Sequence, residues 1–108
     1  MVWYSNLYVG PLVSKRKDKL IYDIDSGRYP VGVYLVTVPD SHMGQVEIIP
    51  ARELKYEYAR ERVLMILGIA LGKSEAVGLV KNLVSDVYAD QGDVRIREWL
   101  SEEHTPRG

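Results

Sequence analysis

The sequence predicts an α/β fold, a small three-layer sandwich whose mostly parallel sheet of three to four strands carries helices on both faces. Two segments, residues 31–38 and Val63–Leu71, are nearly continuous apolar runs of strand length, as expected of strands covered on both sides. Residues 76–88 carry apolar side chains at helical spacing. The order strand, helix, strand, short strand, helix, strand, helix is that of βαβ units, whose right-handed crossovers would make the main strands parallel.

Trp3–Val9 alternates, with Trp3, Ser5, Leu7 and Val9 on one side and Tyr4, Asn6 and Tyr8 on the other, which predicts a strand with unlike faces near a sheet edge. Gly10 and Pro11 end it. Ser14 is placed to cap a helix over 15–24 whose inner stripe is Leu20, Ile21 and Ile24, with Gly27 as its stop. Residues 46–49 predict a short edge strand, because Pro50 follows. Pro50 also suits the first turn of a helix running to about Arg62, with a thin stripe of Ala51, Leu54 and Tyr58. Val63–Leu71 is the expected central strand. Gly72, Lys73 and Ser74 turn the chain into the most regular helix, in which Ala76, Val77, Val80, Leu83, Val84, Val87 and Tyr88 repeat at helical intervals. Gly92 closes it, and Asp93 caps a last helix that brings Trp99 and Leu100 to the core. One domain over 1–101 and a frayed tail over 102–108 complete the expectation.

The bulk numbers exclude more than they assign. At 108 residues the chain fits one domain that buries roughly 65% of its unfolded surface. Fourteen Lys and Arg stand against fifteen Asp and Glu, and neither half is strongly charged, so no electrostatic arm for nucleic acid or an acidic partner is present. The absence of cysteine rules out disulfides, thiolate metal sites and thiol nucleophiles. The first residues lack a basic and apolar leader pattern, and the longest apolar run is half a membrane span, so cytoplasmic residence without a membrane partner is expected. Phenylalanine is absent while tyrosine numbers eight, which suits half-buried faces and interfaces.

Candidate chemistry is thin. A parallel sheet would gather Gly10 and Ser14, then Asp40, Ser41 and His42, then Gly72, Lys73 and Ser74 along the edge where open α/β sheets bind ligands. Gly68 to Ser74 resembles a phosphate loop but has one residue too few between its glycines, so a plainer anion site at the helix start is the version weighed, with Ser41 and His42 as neighbours. His42 is its one side chain suited to acid–base work near neutral pH. Lys15, Arg16, Lys17 and Lys19 form a basic cluster that either solvates a helix start or contacts nucleic acid, with Tyr4, Tyr8, Tyr22 and Tyr29 as possible stacking partners. Asp40, Ser41 and His42 are too close in sequence for triad geometry. No catalytic residue, metal site or cofactor is assigned. Gly68 and Gly78 suggest close packing by a neighbouring element or a second subunit.

Three stretches together carry a resemblance: Asn6-Leu7-Tyr8-Val9; Ile48-Ile49-Pro50-Ala51-Arg52-Glu53-Leu54; and Leu67-Gly68-Ile69-Ala70 through Glu75-Ala76-Val77 to Gly92-Asp93-Val94-Arg95. On these the chain resembles a group of short proteins from anaerobic Gram-positive bacteria to which no activity is assigned. The resemblance implies a stand-alone domain, and the variation of that group at Lys73 and Ser74 speaks against a phosphate loop. The resulting expectation is a non-enzymatic binding or interaction protein, homodimeric or joined to another protein. A phosphate or nucleotide site near Gly72, Lys73 and Ser74, enzymatic or not, is the alternative, and nucleic-acid binding through Lys15, Arg16, Lys17 and Lys19 the second.

Overall fold

In the computed structural model residues 1–40 and 45–103 are described. Strand β1 (Trp3–Val9) leads through a short 3₁₀ turn (Ser14–Arg16) into α1 (Lys17–Asp25); β2 (Val33–Pro39) and β3 (Glu47–Pro50) follow. A 3₁₀ helix (Ala51–Lys55) and α2 (Glu57–Arg62) precede β4 (Val63–Leu71), and the chain continues through α3 (Lys73–Gln91) to α4 (Ile96–Glu103). Element types and positions thus follow the sequence pattern closely, with β1 and β4 at the predicted bounds.

The sheet is not mostly parallel. Its order is β1-β4-β2-β3, and only β1 with β4 is parallel, whereas β2 runs antiparallel to both β4 and β3. Long apolar runs mark β2 and β4 because both are interior strands, and an interior strand is covered on both faces whichever way it points. The short connection from β2 to β3 closes an antiparallel pair, so β2 alone opposes the other three strands. The segment at 46–49 is a true edge strand, displaced by one residue to Glu47–Pro50.

Strand alternation divides the core. Val33 and Leu35 of β2 join Leu20 and Ile24 of α1 and Ala51 and Leu54 of the 3₁₀ helix, while Val36 and Val38 join Ala76, Leu79, Leu83 and Val87 of α3 and Trp99 and Leu100 of α4. In β1, Trp3, Leu7 and Val9 enter the first cluster and Tyr4 and Tyr8 the second, which is the alternation read from sequence. Two irregularities interrupt β4. Leu67 is an extra residue between the pairs Val36↔Gly68 and Thr37↔Ile66, and Leu64 is another between Val38↔Met65 and Pro39↔Val63. A bulged residue is freed from the alternation, and Leu64 is accordingly 51% exposed while Leu67 is fully buried.

The helix expected from Pro50 to Arg62 is broken at Tyr56, whose φ of −91° and ψ of 132° are extended. The 3₁₀ segment buries Ala51 and Leu54, three apart and therefore eclipsed, and the break lets Ala59 instead of Tyr58 face inward. Helix starts also differ from expectation. Ser14 makes no cap and donates to the Pro11 carbonyl oxygen at 3.1 Å. Ser74 makes none either, and Gly72 holds the N-cap position at φ 81° and ψ 154°, a region open only to glycine. Gly72→Ala is therefore expected to lower stability by about 1–3 kcal/mol. Gly78 lies mid-helix with nothing within 4 Å of a built Cβ, so packing on the sheet does not explain it. Gly78→Ala should raise stability by about 0.5–1 kcal/mol, and urea denaturation of the two variants checks both signs.

Candidate functional site

The strand directions separate the residues that a parallel sheet would have gathered. Gly10, Ser14, Gly72, Lys73 and Ser74 lie at one end of the sheet, where Gly72 N–H donates to the Gly32 carbonyl oxygen at 2.8 Å beside the start of β2. Asp40, after the end of β2, lies at the other end, with its N–H on the Arg62 carbonyl oxygen. Ser41 and His42 fall outside the described residues.

The start of α3 already holds a carboxylate. Glu75, the third residue of the helix, accepts Leu71 N–H at Oε1 (3.1 Å) and Leu12 N–H at Oε2 (3.3 Å). An acidic side chain here is favoured by the helix dipole and reaches back to donors preceding the helix. Gly10 is shaped around it: a Cβ there would stand 1.7 Å from Glu75 Oε1. Lys73 and Ser74 are exposed. The N–H groups of Leu71 and Leu12 beside Gly72 are thus met from within the chain, and a negative charge already stands there, through a residue that the loop motif did not point to.

The basic cluster is partly neutralised and shared between elements. Lys15 and Arg16 sit in the 3₁₀ turn, Lys17 pairs with Asp18 at 3.9 Å, and Lys19 pairs with Asp23 at 3.1 Å. Arg28 approaches the same Asp23 at 3.4 Å and lies over the exposed ring of Tyr22. Tyr4 and Tyr8 point into the α3–α4 cluster and so are not on the side of the sheet where α1 packs.

A concavity lies elsewhere, between the edge strand β1 and helices α3 and α4. It is an open cleft of about 570 Å³ lined by Tyr4, Asn6, Tyr8, Asp86, Asp90 and Trp99, among others. Its existence depends on β1. Trp3 pairs with Ile66 but Tyr8 pairs with Gly68, so five steps along β1 match two along β4, and the strand bows away between them. Gly68 lets the far end of the bow return: a Cβ there would meet the Tyr8 carbonyl oxygen at 3.2 Å and Leu79 Cδ1 at 3.2 Å. The glycine in the central strand therefore admits a neighbouring backbone, as its position suggested.

Inside the cleft the polar groups are held in place. The Tyr8 hydroxyl donates to Asp86 Oδ2, and Trp99 Nε1 donates to Asp90 Oδ2 at 2.8 Å. The Tyr4 and Trp99 rings are 6.2 Å apart at 55°, a tilted aromatic pair within the favourable range. Burial raises the Tyr8 hydroxyl above the usual tyrosine range, reinforced by its hydrogen bond to Asp86 and the negative charges of Asp86 and Asp90. It is a neutral donor throughout the physiological range. No ion pair among the described residues involves Asp86 or Asp90. Asp93, just beyond α3, differs: hydrogen bonds from the Arg95 side chain and backbone hold its carboxyl below the usual range, while the first N–H of α4, that of Ile96, is taken by Gln45 Oε1 instead of the expected Asp93.

The sequence pointed to Tyr4 and Tyr8 only as stacking partners beside the basic cluster and to Trp99 only as a core residue, and it did not point to Asp86 or Asp90. One local signal was present, since Asp86 and Asp90 are four apart and so share one flank of α3. Their meeting with Tyr4, Tyr8 and Trp99 is tertiary.

Together these features define a small mixed α/β protein with an aromatic and acidic cleft beside an edge strand. No protein-family model, no curated protein and no solved structure matches the chain. Among the described residues no helix is long and apolar enough to cross a membrane, and no three His, Asp or Glu side chains gather as metal ligands would.

Proposed function

We propose that this chain is a non-enzymatic binding protein and that it binds through the cleft between β1, α3 and α4. One observation carries the reading: a concavity of about 570 Å³ joins three aromatic side chains to two carboxylates held by Tyr8 and Trp99. Ligand sites have volumes in this range and carry a few fixed polar groups. A neutral tyrosine and two carboxylates that accept hydrogen bonds from their neighbours suit recognition better than nucleophilic attack or proton transfer.

Self-association belongs to the same proposal. Tyr22, Tyr56, Tyr58 and Tyr88 are all exposed, and Tyr56 stacks on Tyr58 at 5.5 Å, so amphipathic rings stand at the surface on both sides of the sheet. The proposed architecture is a three-layer stack, supported by the division of β2 side chains between the two clusters, and the proposed compartment is the cytoplasm. The alternative, an anion held at Gly72, Lys73 and Ser74, would place a phosphate beside the negative charge of the Glu75 carboxylate on Leu71 and Leu12. Nucleic-acid binding through Lys15, Arg16, Lys17 and Lys19 must contend with the ion pairs to Asp18 and Asp23.

The test is amide and indole chemical-shift mapping of the whole chain against mixed peptides, phosphate, nucleotides and short oligonucleotides. Perturbations centred on Tyr8, Asp90 and Trp99 are expected. Shifts centred on Leu12, Leu71 and Ser74 with phosphate, or on residues 15–19 with oligonucleotides, would replace this reading with one of the other two. Sedimentation velocity of the same sample at micromolar concentration decides the dimer, which a monodisperse monomer removes.

A further inference from the structure

We infer that the cleft takes an organic cation, an alkylammonium or guanidinium group of the kind a lysine or arginine side chain presents. The inference rests on the cleft being the binding site and adds the chemistry of its occupant. Asp86 and Asp90 both line the cleft, and each has one oxygen bonded to a neutral donor. A carboxylate offers about four acceptor positions, so both retain capacity for a charged donor. Neither has a basic partner among the described residues within ion-pair distance. Four apart on one helix, the two charges also repel each other, and a cation between them would relieve that repulsion.

The walls narrow the choice. The half-buried ring of Tyr8 lines the same space, backed by the buried rings of Tyr4 and Trp99, and an aromatic ring attracts an organic cation. An anion would face two carboxylates. A purely apolar ligand would strip water from both without replacing its hydrogen bonds. A hard divalent ion wants six or more oxygen ligands, and aromatic walls supply none. An alkylammonium or guanidinium group satisfies both parts of the cleft, with its donors on the carboxylates and its carbon-rich surface against the accessible part of Tyr8. Because β1 is an edge strand and the cleft is open, the cation can arrive as a free amine or on a longer chain.

The experiment titrates labelled protein with Nα-acetyl-arginine amide, Nα-acetyl-lysine amide, agmatine, Nα-acetyl-norleucine amide and Nα-acetyl-glutamate amide, following the Trp99 indole N–H. The three cations are expected to shift that signal, more weakly as salt is added, while the norleucine and glutamate derivatives leave it in place. Asp86→Asn and Asp90→Asn should each weaken cation binding about tenfold, the loss expected when a charged acceptor becomes neutral. Both side chains are exposed, and an unchanged spectrum elsewhere verifies the fold. Tighter binding of agmatine than of the capped amino acids identifies a free amine as the source, and the reverse identifies a side chain of a partner; either supports the inference. Binding of the norleucine or glutamate derivative in the cleft as tightly as the cations overturns it and leaves the cleft as the site. No response of any cleft residue, here or in the wider screen, overturns both.

Discussion

Replacing Trp99 by alanine is expected to cost about 3–5 kcal/mol, the range for removing a large buried aromatic side chain. Trp99 is 4% exposed, packs against Tyr4 and Leu100 in the cluster beneath α3 and α4, and donates its indole N–H to Asp90. For a domain whose total stability is of the order of 5–15 kcal/mol this is a large share, and Tm should fall by roughly 15 °C or more. Trp99→Phe keeps most of the volume and loses the hydrogen bond, so about 1–2 kcal/mol is expected. Urea denaturation measures both. A loss below about 1 kcal/mol for Trp99→Ala, the scale of surface changes, would mean that α4 is not docked as described and that one wall of the cleft is absent.

The second large effect separates two neighbours in β4. Ile66→Ala should cost about 2–5 kcal/mol, because Ile66 is fully exchanged for a cavity between β4 and α1 at a site with no exposure. Leu64→Ala should change stability by no more than about 0.5 kcal/mol, since its side chain is half exposed. The residues are alike in hydrophobicity and two positions apart, so a simple strand would treat them alike. The bulge at Leu64 makes the difference. Equal losses in the two variants would restore a regular strand and remove the bulge from the account.

The same contrast explains how far the chain could be read directly. The alternation of Trp3, Leu7 and Val9 against Tyr4 and Tyr8 was legible, as were the glycine stops at Gly27 and Gly92 and, in the stripe of α3, Ala76, Leu83 and Val87, although Val77 and Tyr88 of that stripe are exposed and Leu79 is buried instead. The broken helix after Pro50 was less legible, since Ala51, Leu54 and Tyr58 fit a continuous stripe and only packing selects Ala59 in place of Tyr58. Ser14 and Ser74 are typical cap residues at typical places, yet at Ser74 the Glu75 carboxylate and Gly72 shape the helix start instead.

The candidate site divides in the same way. Asp86 and Asp90 could be placed on one flank of α3 from their spacing alone. That this flank meets the bowed edge strand, with Tyr8 on Asp86 and Trp99 on Asp90, joins residues 78 and 9 positions apart in the chain. The expected gathering of Asp40 with Gly72 fails for a related reason: it needed β2 to point the same way as β4.

By itself, then, the sequence determined the order of the strands and principal helices and the unlike faces of β1, because period and turn chemistry act over a few residues. Tertiary structure alone decided the direction of β2, the bulges at Leu64 and Leu67, the Glu75 carboxylate at the start of α3 and the cleft beneath β1. A buried strand has the same composition pointing either way, and a cleft consists of surfaces from segments that meet only when the sheet is assembled.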